Sequence, residues 1–422
     1  MTLFSRESLP LPFIFMRILW VKAGKLLPVD TGGKIRSFNI LRKLARNNAL
    51  VTLSYYGGAK DLDYEAALAK ELPGAHCIHT AAPEGGLAQG FDYLRRLPNS
   101  APYAVAKFTH PKVVRKLREW LPADRFDVAV CDFLSASLNF PAQLPLPCVL
   151  FQHNVESSLW ARMAKTETNP VRKMSYKIEA GKMERYERET LRRFHHIIAV
   201  SETDKQQMLA MDSACSISVV PTGVDTEKYQ VFPSASGDPP RIVFTGSMDW
   251  EPNIDAMEWF CGEIWPTIVR QFPQAKFQIV GRNPHARVKQ LASATVEVTG
   301  TVPSVSDYLR DAVVVIVPLR IGGGTRLKIF EAMAMGKALV STTIGAEGLD
   351  VSSGENCILA DTPSSFGDSI LTLLSDVQLR RKYEKAAAAL AARYDWSNIA
   401  RQFEDVLQQA IGATHAPQLV NS

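Results

Sequence analysis

The sequence of 422 residues lacks the features that mark a secreted, membrane-spanning or disulfide-rich protein. Its six cysteines are scattered without CxxC spacing, which argues against a disulfide framework or a metal site and favours buried thiols in a reducing compartment. The longest apolar stretch near the start, Leu9 to Val21, is broken by two prolines and Arg17 and is shorter than the roughly 20 residues of a bilayer span. Glu7 stands where a signal peptide would be basic. We therefore expect a cytoplasmic protein, with residues 1–15 as a tail or an over-long start.

Signatures of dinucleotide, metal and nucleic-acid binding are also missing. The glycines after the first predicted strand are Gly24 and then Gly32-Gly33, which is not the GxGxxG spacing of a nicotinamide-binding loop. A DxD pattern occurs at Asp61-Leu62-Asp63, but it lies in a polar loop away from any strand end, so we expect solvated side chains there. The basic segments lack interleaved aromatic residues, which argues against nucleic acid as a partner. Neither a cofactor nor a metal is therefore expected.

The net charge of +5 is unevenly distributed. Residues 1–220 carry 30 Lys and Arg against 21 Asp and Glu, whereas residues 221–422 carry 18 against 22. A basic first half favours an anionic acceptor or a membrane surface, which leaves open a peripheral contact with the inner face of the membrane. Its densest part, residues 173–193, alternates bases with glutamates that include Glu179 and Glu187. That pattern is more typical of a salt-bridged, solvated helix than of a lipid-binding patch.

Short apolar runs alternate with helical segments along the whole chain, a pattern that predicts βα units stacking into parallel sheets. Each half has enough such runs for a doubly wound domain of its own, and a stretch rich in Pro, Ser and Gly is interpreted as the linker. The expected division is a first domain at residues 16–228, a linker at 229–240, a second domain at 241–392, a final helix at 393–412 and a tail at 413–422. In open α/β sheets ligands gather beyond the carboxyl ends of the strands, and the candidate loops of this chain all fall there.

The most informative segment comes after the apolar run at residues 312–317 and reads IGGGTRLKIFEAMAMG (residues 321–336). Three consecutive glycines let the backbone approach a ligand closely, and the helix that begins after them presents N–H groups that favour an anion. Arg326 and Lys328 add two cations at this helix end, and Glu331, one to two turns further, can accept hydrogen bonds from hydroxyls. The combination suits a sugar nucleotide, with the diphosphate on the loop and the ribose on the carboxylate. The plainer alternative is a glycine-rich turn before an ordinary amphipathic helix.

The run Glu331-Ala332-Met333-Ala334 resembles the second half of the donor signature of the retaining glycosyltransferases of family 4, which have the two-domain GT-B fold. Residues 219–225 resemble the family's passage between domains, and residues 243–248 resemble the first strand and turn of its second domain. The first half of the signature differs, because Gly323 stands where the family has a glutamate, so that residue's sugar contact is not carried over. The likeness implies two doubly wound, Rossmann-like domains facing a cleft, with a last helix that opens at residues 394–397 and crosses back to the first domain.

Two loops of the first domain are candidates for ligand contacts. Residues 31–36, TGGKIR, come after the first strand and lead into a helix expected from Ser37 to Arg46, although a simple turn and helix cap is the alternative. His153 comes directly after a predicted strand and is similar in position to a cleft histidine of the family, whereas a lone histidine is more often structural. Glu156 shares this loop and could equally begin the next helix as a first-turn acid.

The resemblance assigns roles to individual positions. The catalytic candidates are His153, Arg326, Lys328 and Glu331. The donor-binding candidates are Gly32, Gly33, Gly246, Gly281, Gly322, Gly323, Gly324, Thr325, Arg326, Lys328 and Glu331. The acceptor-side candidates are Lys34, Arg36, Asn154 and Glu156. No residue is assigned to a metal.

The expected activity is transfer of a hexose-type unit from a nucleotide-diphosphate sugar to a glycan or lipid-linked saccharide, with retention and without a metal. The resemblance points to synthesis of a bacterial surface polysaccharide, such as an exopolysaccharide or lipopolysaccharide. Two alternatives stay open: a sugar-nucleotide binder without activity, which Gly323 suggests, and an epimerase of the same fold, which would isomerise the sugar without an acceptor. A nicotinamide-dependent oxidoreductase is disfavoured by the glycine spacing.

Overall fold

The structure is a computed structural model that describes residues 16–80, 82, 86–122, 124–167, 169–234, 239–321 and 327–415. The chain divides into two compact units: unit 1 comprises Met1–Val220 with Ala400–Ser422, and unit 2 comprises Pro221–Ile399. Each unit contains one sheet whose paired strands all run parallel. Parallel strands joined by helical crossovers are the Rossmann-like arrangement, so the prediction of two doubly wound domains is confirmed.

The sheet of unit 1 has, within the described residues, seven strands. They are β1 (Arg17–Ala23), β2 (Ala49–Tyr56), β3 (Ala75–His79), β4 (Val128–Asp132), β5 (Cys148–Phe151), β6 (His196–Ala199) and β7 (Ile217–Val219). They pair in the order β3-β2-β1-β4-β5-β6-β7. The order reverses between β1 and β4, and loops after strands that flank such a switch point form the ligand crevice of open α/β sheets.

Helices cover both faces of this sheet, which explains why its inner strands are continuous apolar runs rather than alternating ones. The helices of unit 1 in the described ranges are α1 (Gly32–Leu44), α2 (Leu62–Glu71), α3 (Gly86–Arg96), α4 (Tyr103–Ala106), α5 (Pro111–Trp120), α6 (Glu156–Thr166), α7 (Pro170–Arg193) and α8 (Glu202–Met211), with a 3-10 segment at Leu134–Asn139. All residues of β4 and β5 are buried.

The sheet of unit 2 is built in the same way. Its described strands are β8 (Arg241–Thr245), β9 (Lys276–Val280), β10 (Val296–Gly300), β11 (Val314–Val317), β12 (Ala338–Ser341) and β13 (Ile358–Leu359), paired in the order β10-β9-β8-β11-β12-β13. Its helices are α9 (Glu251–Trp259), α10 (Trp265–Gln271), α11 (Ala286–Lys289), α12 (Val305–Asp311), α13 (Leu327–Ala334), α14 (Pro363–Ser375) and α15 (Val377–Arg393), with a π-helical turn at Phe260–Ile264 between α9 and α10. Here the order reverses between β8 and β11, so the loops after these two strands flank the switch point.

The last helix, α16 (Trp396–His415), starts in unit 2 and belongs to unit 1 from Ala400 onward. The ring of Phe403 lies 5.3 Å from that of Trp20 in β1, measured between centroids. Asn48 donates a hydrogen bond to the carboxylate of Glu404 at 2.7 Å. The expected crossing of the final helix back to the first domain is therefore confirmed.

Two expectations about charged side chains were only partly right. Asp63 is exposed as expected, but Asp61 is partly exposed and does not lie in a free loop: it caps α2 by accepting the N–H of Tyr64 at 2.9 Å and pairs with Lys25 at 2.7 Å. On α7, Glu179 and Glu187 are buried rather than solvated. Helical spacing places both on the buried face of α7, and alternation of charge in the sequence does not show which face is buried.

None of the helices in the described ranges combines the length and the apolar character needed to cross a bilayer. All six cysteines lie in these ranges and are free thiols.

Candidate functional site

The glycine loop that dominates the sequence falls outside the described residues. This applies to the predicted positions Gly322, Gly323, Gly324, Thr325 and Arg326. The structure describes the strand before the loop, β11, and the helix after it, α13, which carries Lys328 and Glu331. The candidate site in unit 2 is therefore built from the surroundings of these two side chains.

Lys328 is held in place by groups from β8 and the segment after it. Its ammonium donates a hydrogen bond to Asn253 Oδ1 at 3.1 Å and lies 4.2 Å from the centroid of the Phe244 ring, a favourable cation–π position. Asn253 is buried and donates in turn to the carbonyl of Ser247 at 2.8 Å. Because both ends of its amide are engaged, Asn253 fixes the direction of the lysine side chain. No sequence signal indicated this role, since Asn253 carries no charge and stands in a segment without basic residues.

Two predicted donor-binding glycines lie beside this lysine. A Cβ atom on Gly246 would come within 2.8 Å of Asn253 Nδ2 and 2.9 Å of Lys328 Nζ. A Cβ atom on Gly281, directly after β9, would overlap the carbonyl oxygen of Gly246 at 1.6 Å. Only glycine allows the two loops to pack this closely. The structure thus brings Gly246, Gly281 and Lys328 together at the carboxyl ends of adjacent strands.

Glu331 has a partner that the sequence did not suggest. Its carboxylate accepts a hydrogen bond at 3.0 Å from the hydroxyl of Tyr229, a buried residue in the stretch interpreted as linker. Burial raises the pKa of Glu331, while the Tyr229 hydrogen bond and the charges of Lys228 and Lys328 oppose that rise. Burial and the nearby Glu331 also raise the pKa of Tyr229. The pair forms a polar position one helical turn from Lys328, and within the described residues only one of the two carboxylate oxygens accepts a hydrogen bond.

In unit 1, the glycines after β1 lie at the start of α1. The helix begins at Gly32 and ends at Leu44, so the expected limits of Ser37 and Arg46 were wrong. Thr31, at the N-cap, makes no side-chain capping bond to the described residues, and the first turn contains no acid. A Cβ atom on Gly33 would lie 3.3 Å from Nδ1 of His153, so the structure brings these two predicted residues together.

His153 is buried at the carboxyl end of β5 rather than exposed in a loop. Its Nε2 is 2.9 Å from Oδ1 of Asp132, the last residue of β4, and its Nδ1 is buried with no hydrogen-bond partner among the described residues. Burial lowers the pKa of His153 to about 4, although Asp132 raises it. A neutral ring beside an ionised carboxylate places the proton on Nε2, so Nδ1 is left as a hydrogen-bond acceptor directed at the N-terminal turn of α1.

Asp132 organises this cluster, although no motif of the sequence singled it out. Its second oxygen accepts from the indole N–H of Trp20 at 2.9 Å, and the ammonium of Lys22 lies 3.2 Å from the first oxygen. Burial alone would raise the pKa of Asp132, but Lys22 and His153 hold it below its usual range. The next residue, Phe133, has a strained φ of +79° and sets its ring at 5.0 Å from that of His153. The sequence did contain one signal for Asp132, because it is an acidic residue at the end of an otherwise apolar strand.

Glu156 forms the first residue of α6 and lies against a second carboxylate, Glu187. Glu187 accepts the backbone N–H groups of Glu156 at 3.0 Å and Ser157 at 2.9 Å, so it caps the helix from a distant part of the chain. Burial and the charge of Glu187 raise the pKa of Glu156 to about 7. Asn154 is hydrogen-bonded to Glu156. Glu156 is therefore the carboxyl group of this loop that can change its protonation near neutral pH.

The other two acceptor-side candidates differ in their surroundings. Lys34 donates to Asp30 at 3.0 Å and to the carbonyl of Pro28 at 3.2 Å. Arg36 is buried inside unit 1, where burial lowers its pKa to about 10 against the opposing charges of Asp204 and Asp132. Within the described ranges, no group of three His, Cys, Asp or Glu side chains could hold a metal ion.

Comparison with known proteins agrees with this architecture. Residues 63–228 match the family described as Glycosyltransferase Family 4, and residues 239–376 match the family described as Glycosyl transferases group 1. The phosphatidyl-myo-inositol mannosyltransferase of Mycobacterium tuberculosis is 25% identical over 366 residues, covering 80% of this chain and 89% of that protein.

Solved structures show the same fold. Sucrose-phosphate synthase from Thermosynechococcus elongatus superimposes with a TM-score of 0.66 at 15% identity, covering 94% of this chain and 99% of that one. Anabaena HepE in complex with UDP and glucose gives a TM-score of 0.62 at 15% identity, covering 93% and 99%. The two Rossmann-like units, the two matched family regions and the similarity to the mycobacterial mannosyltransferase together show that the chain belongs to the family 4 glycosyltransferases of GT-B fold.

Proposed function

We propose that the protein moves a hexose-type sugar from a nucleotide-diphosphate donor to a glycan or lipid-linked saccharide, with retention of anomeric configuration and without a metal. The observation that carries the proposal is the placement of Lys328. Its ammonium is fixed by Asn253 beside Gly246 and Gly281, the two glycines that let the loops after β8 and β9 pack closely against it. A fixed cation at the carboxyl end of a parallel sheet is suited to an anionic ligand.

Unit 2 would bind the donor in this scheme. Lys328 neutralises the diphosphate, and Arg326, outside the described residues, adds a second cation at the start of α13. Glu331 accepts a hydrogen bond from a ribose hydroxyl while its other oxygen stays bound to Tyr229. These contacts need no divalent cation, because the two basic side chains supply the positive charge.

The chemical step breaks the bond between the anomeric carbon and the diphosphate oxygen. Positive charge develops on the sugar ring and negative charge on the departing diphosphate, which Lys328 stabilises. The acceptor hydroxyl attacks from the same face and passes its proton to the leaving phosphate oxygen. In unit 1, the neutral His153 accepts a hydrogen bond from a sugar hydroxyl through Nδ1, and Glu156 and Asn154 contact the acceptor.

The names of similar proteins support this choice of ligands. One relative is a mannosyltransferase named for phosphatidyl-myo-inositol, and one structural neighbour holds UDP and glucose. They support a nucleotide sugar as donor and a lipid-linked acceptor. The corresponding role for the protein is in bacterial surface polysaccharide synthesis, at the inner face of the membrane.

The test begins with thermal unfolding in the presence of a panel of UDP-, GDP- and ADP-sugars. A donor at about 100 times its dissociation constant should stabilise the protein by about 2.7 kcal/mol. Product analysis with and without an oligosaccharide acceptor then separates the alternatives. Transfer only with an acceptor supports the proposal, isomerised donor sugar without acceptor indicates an epimerase, and stabilisation without any product indicates a binder. Activity that persists in EDTA supports metal independence, and proton NMR of the product reports its anomeric configuration.

The Lys328→Ala variant tests the observation itself. Loss of this cation should weaken nucleotide-diphosphate binding by about 1.5–3 kcal/mol, the range for hydrogen bonds to charged groups. Lys382→Ala removes an exposed lysine on α15 and serves as the matched control. Equal donor-induced stabilisation of the two variants would remove Lys328 from the donor site.

A further inference from the structure

The stretch interpreted as linker begins at Tyr229 and packs along α13. The backbone N–H of Phe232 donates to the carbonyl of Met335, just after the end of α13, at 3.1 Å. A Cβ atom on Gly336 would lie 2.9 Å from a methyl carbon of Val231. The segment from Tyr229 to Phe232 is therefore fixed against the helix that carries Lys328 and Glu331.

A turn anchors the other end of this segment. The N–H of Lys228 donates to the carboxylate of Asp225 and the N–H of Tyr229 donates to its carbonyl, both at 2.9 Å. The ammonium of Lys228 lies 4.9 Å from the centroid of the Tyr229 ring, in a cation–π position. Since the backbone is held on both sides and the ring is buried, the Tyr229 side chain has a fixed direction.

That direction brings the Tyr229 hydroxyl to Glu331. The hydroxyl donates to Oε1 of Glu331 at 3.0 Å, and Oε2 accepts no hydrogen bond from the part of the chain that the structure describes. The side chain of Tyr229 is 7% exposed, whereas that of Glu331 is partly exposed. The protein thus holds one oxygen of this carboxylate and keeps the group accessible to a ligand.

The same contact acts on the charge of Glu331. Burial raises the pKa of this carboxyl group, and the hydrogen bond from Tyr229 is the largest of the effects that lower it, ahead of the charges of Lys228 and Lys328. An ionised carboxylate accepts hydrogen bonds more strongly than a neutral carboxyl group. Tyr229 therefore favours both the direction and the charge state in which Glu331 accepts best.

We propose that Tyr229 is a positioning residue that makes the donor site select ribonucleotides over deoxyribonucleotides. By holding Oε1 of Glu331, it presents Oε2 to a ribose hydroxyl. A deoxynucleotide lacks that hydroxyl, so its binding would cover the carboxylate without supplying a hydrogen bond. This inference rests on the proposed donor role of unit 2 and adds the residue on which selection of the nucleotide's sugar depends.

Calorimetric titration with UDP, GDP and ADP, each beside its 2′-deoxy and 3′-deoxy counterparts, tests the inference. The wild type should bind its preferred ribonucleotide about tenfold or more tightly than one of the two deoxy analogues, as expected for a hydrogen bond to a charged group. The analogue that loses affinity identifies the hydroxyl. In Tyr229→Phe this affinity ratio should fall at least about threefold, because Glu331 is no longer held.

The pH dependence of the ratio separates positioning from a structural role. Discrimination should weaken as the pH falls through the pKa of Glu331, because a protonated carboxyl group accepts less well. Tyr229 and Lys228 both lower this pKa, so Tyr229→Phe and Lys228→Gln should each move the loss to higher pH. Titration of the phosphates affects both nucleotides alike and cancels in the ratio. Lys228 is exposed, so its replacement should leave the fold intact.

Tyr383→Phe is the matched control. Tyr383 is 7% exposed, as Tyr229 is, and its hydroxyl makes no hydrogen bond to any described residue. This variant should keep the wild-type ratio and its pH dependence. In Glu331→Gln the ratio should also fall, and adding Tyr229→Phe should lower it no further, since Tyr229 acts through the carboxylate. Urea unfolding checks that each variant is folded under the titration conditions.

Three outcomes would overturn the inference. The wild type could bind ribonucleotides and both deoxy analogues equally tightly, or Tyr229→Phe could keep the wild-type ratio and pH dependence. In the third outcome, Tyr229→Phe lowers the ratio in the Glu331→Gln background as much as in the wild type, which would show that it does not act through Glu331. Absence of any nucleotide binding would refute the donor role of unit 2 as well, whereas binding without the expected ratio refutes this inference alone.

Discussion

Replacement of Asp132 with asparagine should strongly destabilise unit 1. The carboxylate is fully buried and is engaged by Trp20 at 2.9 Å, Lys22 at 3.2 Å and His153 at 2.9 Å. An amide keeps one accepting oxygen but removes the charge that balances the buried ammonium of Lys22. Breaking a buried ion pair by removing one partner costs about 3–5 kcal/mol, and the remaining hydrogen bond to Trp20 places the expected loss near the lower limit, about 3 kcal/mol.

The same substitution should change the role of His153. The asparagine amide can donate to Nε2, which would move the ring proton to Nδ1 and turn an acceptor into a donor. A sugar hydroxyl that donates to Nδ1 would then lose its partner, so kcat/KM should fall by about one to two orders of magnitude. Because the donor is proposed to bind to unit 2, the stabilisation of this variant by the donor should stay unchanged.

Urea unfolding and steady-state kinetics measure these two effects. Asp63→Asn is the matched control, because this carboxylate is exposed in the first turn of α2 and its loss should cost no more than about 1 kcal/mol. If Asp132→Asn and the control have the same unfolding free energy, the buried ion-pair argument is refuted. A destabilised variant with wild-type kcat/KM would show that Asp132 is structural and does not set the tautomer of His153.

Single contacts give three further predictions. Gly281→Ala should lower the unfolding free energy by at least about 3 kcal/mol and abolish donor-induced stabilisation, because its Cβ would overlap Gly246 O at 1.6 Å. Gly262→Ala, whose Cβ meets nothing within 4 Å in the described structure, is the control in the same urea titrations and should not destabilise. Tyr229→Phe should cost about 1.5–3 kcal/mol through the lost hydrogen bond to Glu331, and an unchanged urea midpoint would contradict a net contribution from it. Because the pKa of Glu156 is raised to about 7, the folded state holds this proton more tightly than the unfolded state, and stability should fall by about 3 kcal/mol as pH rises from about 4.5 past 7. Unfolding measured across that range should show a smaller fall for Glu156→Gln; equal slopes would remove Glu156 as the cause.

Much of the fold could be predicted from the sequence because buried parallel strands are continuous apolar runs. The apolar runs at residues 128–131 and 148–151 correspond to β4 and β5. Each apolar run of the second half also lies inside a strand or starts one residue before it. Helix limits were less certain. Residues 32–33 predict a turn before α1, yet these glycines form its first residues, where Gly33 packs closely against the ring of His153.

Part of the candidate site could be predicted in the same way. Gly246, Gly281 and Lys328 come after strands, and the ends of parallel strands meet at one edge of a sheet. Their partners could not be predicted. Asn253 lies 75 positions before Lys328, and Tyr229 lies 102 positions before Glu331, so only packing brings these pairs together.

The sequence by itself determined the two parallel sheets, because strand and helix periodicities are local, and it identified the family through a short run of residues after β11. The tertiary structure decided the protonation and direction of the polar groups. His153 became a buried acceptor because Asp132, 21 positions away, meets its Nε2 while Lys22 balances the charge. Burial and long-range Coulomb interactions set these properties, and both depend on which distant side chains the fold places side by side.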